Sequence, residues 1–128
     1  SLKEPSPAEH AERVVRSKNG LDRLLVRGKE STSFVDIRDI ILVQRENNST
    51  VIYTEKDSFT TSAGLGEIES RLDEELFLRS HKSYIINLSR IRKIEPYGRW
   101  TYIVTFQGID RDALITAEKY EEVKKRFA

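Results

Sequence analysis

The segment FLRSHKSYIINL, residues 77–88, sets a run of polar and basic side chains between two apolar stretches. Its polar centre contains Arg79, His81, Lys82, Ser83 and Tyr84. Arg and Lys neutralise phosphates, Ser and Tyr hydroxyls donate to phosphate oxygens, and His and Lys also reach base edges. This set of residue types is typical of nucleic-acid binding, although a basic run between two buried segments is more often a solvated turn.

A second polar segment, RENNST, follows a run of β-branched residues. Its hydrogen-bonding side chains belong to Arg45, Asn47, Asn48, Ser49 and Thr50. An asparagine amide donates to and accepts from an adenine edge at the same time, so the segment is a candidate for base recognition. Asn-Asn is also ordinary hairpin chemistry, and that alternative requires no ligand.

No arrangement of residues in the sequence predicts catalysis. His81 and Ser83 share a face of an extended chain, but no residue is placed to orient the imidazole as a base. The chain has no glycine-rich phosphate loop, no HExxH motif and no paired-carboxylate spacing. It has no cysteine and two histidines, too few soft ligands for a zinc site. We therefore predict a protein that is not an enzyme, with no metal site and no cofactor.

The net charge of +1 conceals an asymmetry between two neighbouring segments of the 128-residue chain. Residues 55–77 contain seven acidic and two basic residues, a net charge of −5. Residues 79–99 contain six basic residues and one acidic residue, a net charge of +5. A basic block beside an acidic block predicts a bipolar surface with one anion-binding side.

The sequence also indicates where the protein functions. No apolar run approaches the roughly 20 residues of a membrane span, and the first 25 residues carry charge throughout, unlike a secretory signal. We therefore expect a cytoplasmic protein without membrane contact, and the lack of cysteine fits a reducing compartment. The chain begins at Ser1 and not at a methionine, which leaves open whether it is a fragment of a longer regulator.

The hydrophobic pattern predicts a mainly β domain. Residues 1–20 are polar, contain two prolines and predict a linker with a short helix, and the domain itself covers residues 21–128. Beyond residue 20, short β-branched runs alternate with turn sequences at a spacing of roughly 8–12 residues, as in antiparallel sheets. The pattern predicts about eight to ten short strands with one or two short helices, one over residues 64–76 and one after Thr116.

The segment WTYIVTF, residues 100–106, alternates in the manner of a strand. This alternation places Trp100, Tyr102, Val104 and Phe106 on one face, so we expect Trp100 to pack within a sheet. The alternative is that Trp100, beside Arg99, is an exposed platform for stacking.

The stretch ELFLRSHKSYIINLSRIRKIEP resembles the signature of the LytTR DNA-binding domain family. Members follow, loosely, the pattern F-x-R-x-H-[KR]-S-[YF]-[IV]-[IV]-N-x-x-x-I-x-x-I. Every position of that pattern is filled, by Phe77, Arg79, His81, Lys82, Ser83, Tyr84, Ile85, Ile86, Asn87, Ile91 and Ile94. The resemblance is gap-free here and extends over residues 21–127.

The resemblance implies antiparallel sheets with a small helix, and loops that enter successive major grooves of duplex DNA. Such domains are usually the output half of a bacterial response regulator that carries an N-terminal receiver domain, and two of them typically bind a direct repeat. Carried over by position, the DNA-facing elements are loop 45–50 and the stretch 79–84.

The sequence departs from the family pattern at a third DNA-facing element, the end of the last strand. Members commonly have Ser and one or two arginines there, whereas this chain has Thr116-Ala117-Glu118-Lys119. The difference removes a cation and adds a carboxylate that a phosphate would repel. Lys119 is then the candidate for this contact, and whether Glu118 faces DNA stays open.

We therefore expect sequence-specific duplex DNA binding as the output domain of a bacterial transcriptional regulator of the two-component kind. The alternative is a β-rich protein-interaction or ligand-sensing module whose basic face binds an acidic partner. Preference for one duplex sequence over scrambled DNA distinguishes the two hypotheses.

Overall fold

The computed structural model describes residues 22–128, so the linker and short helix expected over residues 1–20 lie outside the described residues. Ten strands and two α-helices follow one another in this part of the chain. The strands are β1 (Arg23–Arg27), β2 (Thr32–Asp36), β3 (Ile40–Glu46), β4 (Ser49–Thr54), β5 (Ser58–Thr61), β6 (Phe77–His81), β7 (Tyr84–Asn87), β8 (Ile91–Pro96), β9 (Thr101–Phe106) and β10 (Asp112–Thr116). The helices are α1 (Leu65–Ser70) and α2 (Ala117–Phe127), and short 3-10 turns cover Ile37–Asp39 and Leu88–Arg90.

The strands form three antiparallel sheets. A central five-stranded sheet has the order β5-β4-β3-β7-β6, a second sheet has the order β10-β9-β8, and β1 and β2 form a two-stranded ribbon. All seven strand pairings are antiparallel, which confirms the predicted mainly β class.

The central sheet is buried on both faces, and β3 shows why. Ile40 and Val43 belong to a core shared with α1 and the β1–β2 ribbon. Ile41 and Leu42 belong to a second core, shared with the three-stranded sheet and α2. Since each fully buried aliphatic side chain contributes about 1.5–3 kcal/mol, a continuous apolar run is stable only as such a two-sided strand.

Helix α1 is shorter than the predicted helix over residues 64–76. The chain leaves the helix after Ser70, although Leu72 is still buried as the periodicity predicted. The Asp73 carboxylate accepts a hydrogen bond from the backbone N of Glu75 at 2.8 Å. The carbonyl of Asp73 accepts from the backbone N of Leu76 at 3.0 Å and of Phe77 at 2.9 Å. These local bonds favour a turn over continued helix.

The predicted packing of Trp100 within a sheet is wrong. Strand β9 begins one residue later, and Trp100 lies in the β8–β9 turn with 77% of its surface exposed. The backbone adopts positive φ at Gly98 (71°) and at Trp100 (65°), so the turn breaks the alternation just before the strand. Val104 and Phe106 are buried, as predicted.

Candidate nucleic-acid interface

The tip of the β3–β4 hairpin is formed by Asn47 and Asn48, both exposed. Glu46 and Ser49 pair across the hairpin, and the Ser49 hydroxyl donates to the Glu46 carbonyl at 3.3 Å. Asn47 has φ 53°, a left-handed conformation that asparagine tolerates better than most residues. Asn47 therefore shapes the turn, and both amides remain available to a ligand.

Two other predicted contact residues lie behind this tip. Thr50 is fully buried, and its hydroxyl donates to the Ala63 carbonyl at 2.6 Å. Arg45 Nη1 donates to Thr50 Oγ1 at 2.8 Å and to the Ala63 carbonyl at 3.3 Å. The structure therefore places Thr50 below the surface, where its hydroxyl and the Arg45 guanidinium fix the base of the hairpin against the segment before α1.

The β6–β7 turn, Lys82–Ser83, lies beside the hairpin tip. Strands β3 and β7 are neighbours, with Gln44 opposite Tyr84. Beyond that pair, the backbone N of Arg45 donates to the Ser83 carbonyl at 2.9 Å. Two polar segments nearly 40 residues apart in sequence thus meet at one end of the central sheet.

Arg79 holds the β6–β7 turn in shape. Its Nε donates to the His81 carbonyl at 3.1 Å and its Nη2 donates to the Lys82 carbonyl at 2.7 Å. Its Nη1 lies 3.0 Å from Glu69 Oε1, on α1. Since these groups occupy the guanidinium, Arg79 positions the turn more than it offers a free cation.

His81 is the last residue of β6 and is half-buried, directly before this turn. Burial, followed by the charges of Lys82 and Arg79, lowers the pKa of the imidazole from its ordinary value. Nδ1 accepts a hydrogen bond from the backbone N of Ser83 at 3.2 Å, which assigns the proton of the neutral ring to Nε2. The ring meets Tyr84 edge-on, with centroids 5.6 Å apart.

Beneath the hairpin tip lies a network that the sequence did not predict. The Tyr53 hydroxyl donates to the Glu46 carboxylate, which also lies 3.5 Å from Arg111 Nη2. The Arg111 guanidinium stacks 4.4 Å above the Tyr53 ring. Burial and the Glu46 hydrogen bond raise the pKa of Tyr53 to about 12. Burial, followed by the Asp112 carboxylate, raises the pKa of Tyr84. The network joins the hairpin to the start of β10.

The β10–α2 junction starts as the sequence predicted. Thr116 Oγ1 accepts from the backbone N of Lys119 at 3.2 Å, so the threonine caps α2. Lys119 is half-buried and its Nζ lies 3.5 Å from Glu122 Oε1. Glu118 is exposed. Of the predicted site residues, Lys119 is therefore the one that lies apart from the two loops.

The basic block at residues 79–99 does not form one unpaired surface. Arg79 pairs with Glu69, Arg90 lies 3.7 Å from Glu55 Oε1, and Lys93 lies 3.4 Å from Glu95 Oε2. Two of these partners belong to the acidic block, so the two blocks partly neutralise each other in the fold. Lys82, Arg92 and Arg99 have no carboxylate partner among residues 22–128.

Within residues 22–128, neither helix has the length and apolar character needed to cross a bilayer.

Comparison with known families identifies the class of protein that carries this interface. The profile of the LytTr DNA-binding domain matches residues 30–128. A match over that much of the chain is decisive, and this protein belongs to the LytTr DNA-binding domain family.

Individual relatives are consistent with that assignment. The chain is 34% identical over 99 residues to the transcriptional regulatory protein NatR of Bacillus subtilis, covering 77% of this chain and 42% of NatR. It is 30% identical over 89 residues to the transcriptional regulatory protein YpdB of Escherichia coli K12, covering 70% of this chain and 36% of YpdB. The chain thus spans less than half the length of these curated relatives.

A solved structure shows the same fold. A LytTr DNA-binding domain from Bacillus cereus superposes with a TM-score of 0.70 at 18% sequence identity, covering 84% of this chain and 97% of that domain. At this identity the likeness concerns the arrangement of strands and helices, which matches the predicted antiparallel LytTR-like architecture.

Proposed function

We propose that this domain binds duplex DNA sequence-specifically by placing the β3–β4 hairpin tip and the β6–β7 turn together in a major groove. The observation that carries the proposal is the hydrogen bond from Arg45 N to the Ser83 carbonyl, which holds the two polar segments side by side. Adjacent strands lie about 4.8 Å apart, so two such loops fit a groove that is about 12 Å wide.

The proposed roles follow from exposure and charge. Asn47 and Asn48 are exposed and neutral, which suits contacts to base edges more than to phosphates. Lys82 is exposed and has no carboxylate partner among residues 22–128, which suits a phosphate contact. The half-buried side chains of Ser49, Ser83 and Tyr84 line the same end of the sheet and offer further donors.

Three predicted site residues take a different role in the proposal. Their side-chain donors form hydrogen bonds within the protein, so these residues position the loops: Arg45, Thr50 and Arg79. His81 uses Nδ1 as an acceptor within the protein, which leaves Nε2–H as its donor toward DNA. Lys119 belongs to a separate contact at the start of α2, reached only if its pair with Glu122 opens.

We infer that the domain acts in the cytoplasm as the output part of a bacterial transcriptional regulator. The names of NatR and YpdB as transcriptional regulatory proteins support this role, as does the name of the Staphylococcus saprophyticus relative LytR, a sensory transduction protein. The relatives are more than twice as long as the matched segment, which leaves room for a receiver domain. Two copies of the domain would bind a direct repeat.

The test is selection of genomic fragments with the purified chain, followed by footprinting and titration of the selected duplex against a scrambled duplex of equal length. We expect tighter binding to the selected duplex by a factor of about 10³ or more at fixed salt. Equal affinity for the two duplexes at every salt concentration would contradict the proposal and would favour a module that binds an acidic protein partner.

A further inference from the structure

The β8–β9 turn, residues 97–100, is the most conspicuous exposed surface outside the two loops. Trp100 is 77% exposed and Tyr97 is 57% exposed. Exposed aromatic side chains on a tight turn contribute nothing to either hydrophobic core, and a cluster of them marks an interaction site. Between them stands Arg99, which is also exposed.

The backbone of this turn has two residues with positive φ. Trp100 has φ 65°, a conformation that costs a bulky residue free energy and that glycine would adopt freely. The turn already contains one glycine, Gly98, at φ 71°. A tryptophan at the second left-handed position destabilises the fold slightly and projects its indole into solvent, which is a conformation expected of a binding residue.

The charge of the turn selects the kind of partner. The segment PYGRWT, residues 96–101, contains one cation and no acid. Arg99 has no carboxylate partner among residues 22–128, in contrast to Arg79 and Arg90. An unpaired guanidinium beside two flat aromatic rings fits a sugar–phosphate backbone, where the guanidinium binds phosphate and a ring packs against deoxyribose.

Hydrogen bonds connect the β8–β9 turn to the β10–α2 junction. The backbone N of Ala117 donates to the Trp100 carbonyl at 3.2 Å, and Thr101 pairs with Thr116. Strand β10 is joined to the β6–β7 side of the central sheet, because the Ser80 hydroxyl donates to the Leu114 carbonyl at 2.9 Å. The turn is thus connected through β10 to β6, the strand that ends at His81 just before Lys82.

We propose that Arg99 and Trp100 form an additional DNA contact that binds the sugar–phosphate backbone beside the base pairs contacted by the two loops. The proposal rests on the proposed DNA-binding function. In this arrangement the turn supplies affinity without sequence preference, because phosphate and deoxyribose are the same at every position. It also provides a cation at a junction whose own first helical residues, Ala117 and Glu118, have none.

The chain offers a direct probe, because Trp100 is its sole tryptophan. The unmodified chain is titrated with the selected duplex while indole emission and its quenching by acrylamide are followed, and binding is measured in parallel by gel mobility. We expect the duplex to shift the emission and to protect the indole from acrylamide. The proposal is overturned if gel mobility shows a bound complex while the indole emission and quenching constant stay equal to those of the free chain. That result would leave the proposed function intact.

Two substitutions separate the parts of the contact. Arg99→Ala should lower the slope of log K against log salt by about 0.9, the value of one phosphate. Trp100→Ala should weaken binding roughly five- to tenfold with an unchanged slope, since the indole carries no charge. The matched control is Lys56→Ala, which removes an exposed cation from the β4–β5 turn at the far end of β4 from the hairpin tip.

Two further results would count against the proposal. Equal slopes for Arg99→Ala and Lys56→Ala would show that Arg99 acts only through net charge. Protection of the indole that rises with protein concentration in the absence of DNA would identify a second copy of the chain as the occupant. If no duplex binds better than scrambled DNA, the proposed function itself fails, which is a separate outcome.

Discussion

The two ends of the proposed interface are built differently. At one end, the β3–β4 hairpin tip and the β6–β7 turn connect strands of the central sheet, which is buried on both faces. Hydrogen bonds fix the backbones of these two loops. At the other end, the β8–β9 turn beside the β10–α2 junction is exposed. It contains Arg99, which has no carboxylate partner within the described residues 22–128, and Trp100 in a left-handed conformation.

This difference bears on specificity. Recognition of a base edge requires donors and acceptors at fixed positions, and a loop that is already ordered loses less entropy on binding. Contact with the backbone tolerates small displacements, because attraction between a cation and phosphates varies smoothly with distance. The comparison therefore predicts that substitutions in the loops change sequence preference and that substitutions in the turn change overall affinity.

The largest expected effect is that of Arg79→Ala. The substitution removes the donors to the His81 and Lys82 carbonyls, so the β6–β7 turn loses its fixed shape. We expect a loss of about 2–4 kcal/mol in binding to the selected duplex, as for truncation of a hydrogen-bonded charge. Titration at several salt concentrations should show a nearly unchanged salt slope, because Glu69 already pairs with the guanidinium.

Lys82→Ala is the matched comparison for Arg79. Its ammonium has no carboxylate partner among residues 22–128, so its removal should lower the salt slope by about 0.9. If Arg79→Ala instead gives the larger change in slope, Arg79 contacts phosphate directly and our assignment of a positioning role is wrong.

The second prediction concerns Asn48 at the hairpin tip. Asn48→Ala should cost about 1–3 kcal/mol on the selected duplex, the value of one bidentate base contact. Binding to scrambled DNA should hardly change, because the amide is uncharged. Asn48 suits this test better than Asn47, whose positive φ makes alanine a strained replacement.

Asn47→Gly is the corresponding control. Glycine keeps the left-handed turn and removes only the amide, so any loss of preference reports on base contact. A similar loss on selected and scrambled DNA with either variant would mean that the hairpin tip only shapes the turn.

Much of the fold was predictable from the sequence, because the residues that determine it lie close together in the chain. The β-branched run of β3, the Asn-Asn hairpin and the Thr116 cap all depend on residues within a few positions of each other. The two segments that we propose as DNA-facing also stand out in the sequence, because both combine polar side chains with flanking apolar strands.

The parts that were missed depend on distant or subtle geometry. Arg111 stacks on Tyr53 and pairs with Glu46, 65 residues earlier. The hydrophobic periodicity of the sequence cannot predict a contact between residues so far apart. The positioning roles of Arg79 and Thr50 follow from what their donors reach, which composition does not show. Trp100 continues the alternation of β9 in sequence, and only its backbone conformation removes it from the strand.

The third prediction uses pH to test the environment of His81, directly before the β6–β7 turn. The pKa of His81 is lowered in the folded chain, while in the unfolded chain it lies near 6.5. Above about pH 6.5 the ring is neutral in both states and adds no pH dependence. As the pH falls through 6.5 and then through the folded value, the unfolded chain binds the proton more strongly, so the fold loses stability.

Urea unfolding at a series of pH values measures this effect. His81→Gln should flatten the loss of stability on the acidic side of about pH 6.5. Parallel profiles for the parent and His81→Gln would show that the imidazole titrates with an ordinary pKa.

The smallest expected effect is that of Glu118, at the other end of the interface. Glu118 is exposed and lies in the first turn of α2, directly after the Thr116 cap, where its charge interacts favourably with the helix dipole. We expect that interaction to be its main role. Glu118→Arg should then lower the free energy of unfolding by about 0.3–1 kcal/mol, measured by thermal or urea denaturation. Glu118→Gln should show about half of that loss, because it removes the favourable charge without adding an unfavourable one.

DNA binding decides between this role and a direct one. If Arg99 occupies the nearest phosphates, the new arginine in Glu118→Arg acts only at a distance, and the salt slope should rise by clearly less than the value of about 0.9 for one phosphate. If Glu118 instead faces DNA, the slope rises by that full amount, affinity for scrambled DNA increases, and discrimination at one base pair falls. A full step in slope with an unchanged melting temperature would overturn the dipole interpretation. It would also bring the β10–α2 junction into the contact surface, so that the exposed end of the interface would contribute to sequence preference as well as to affinity.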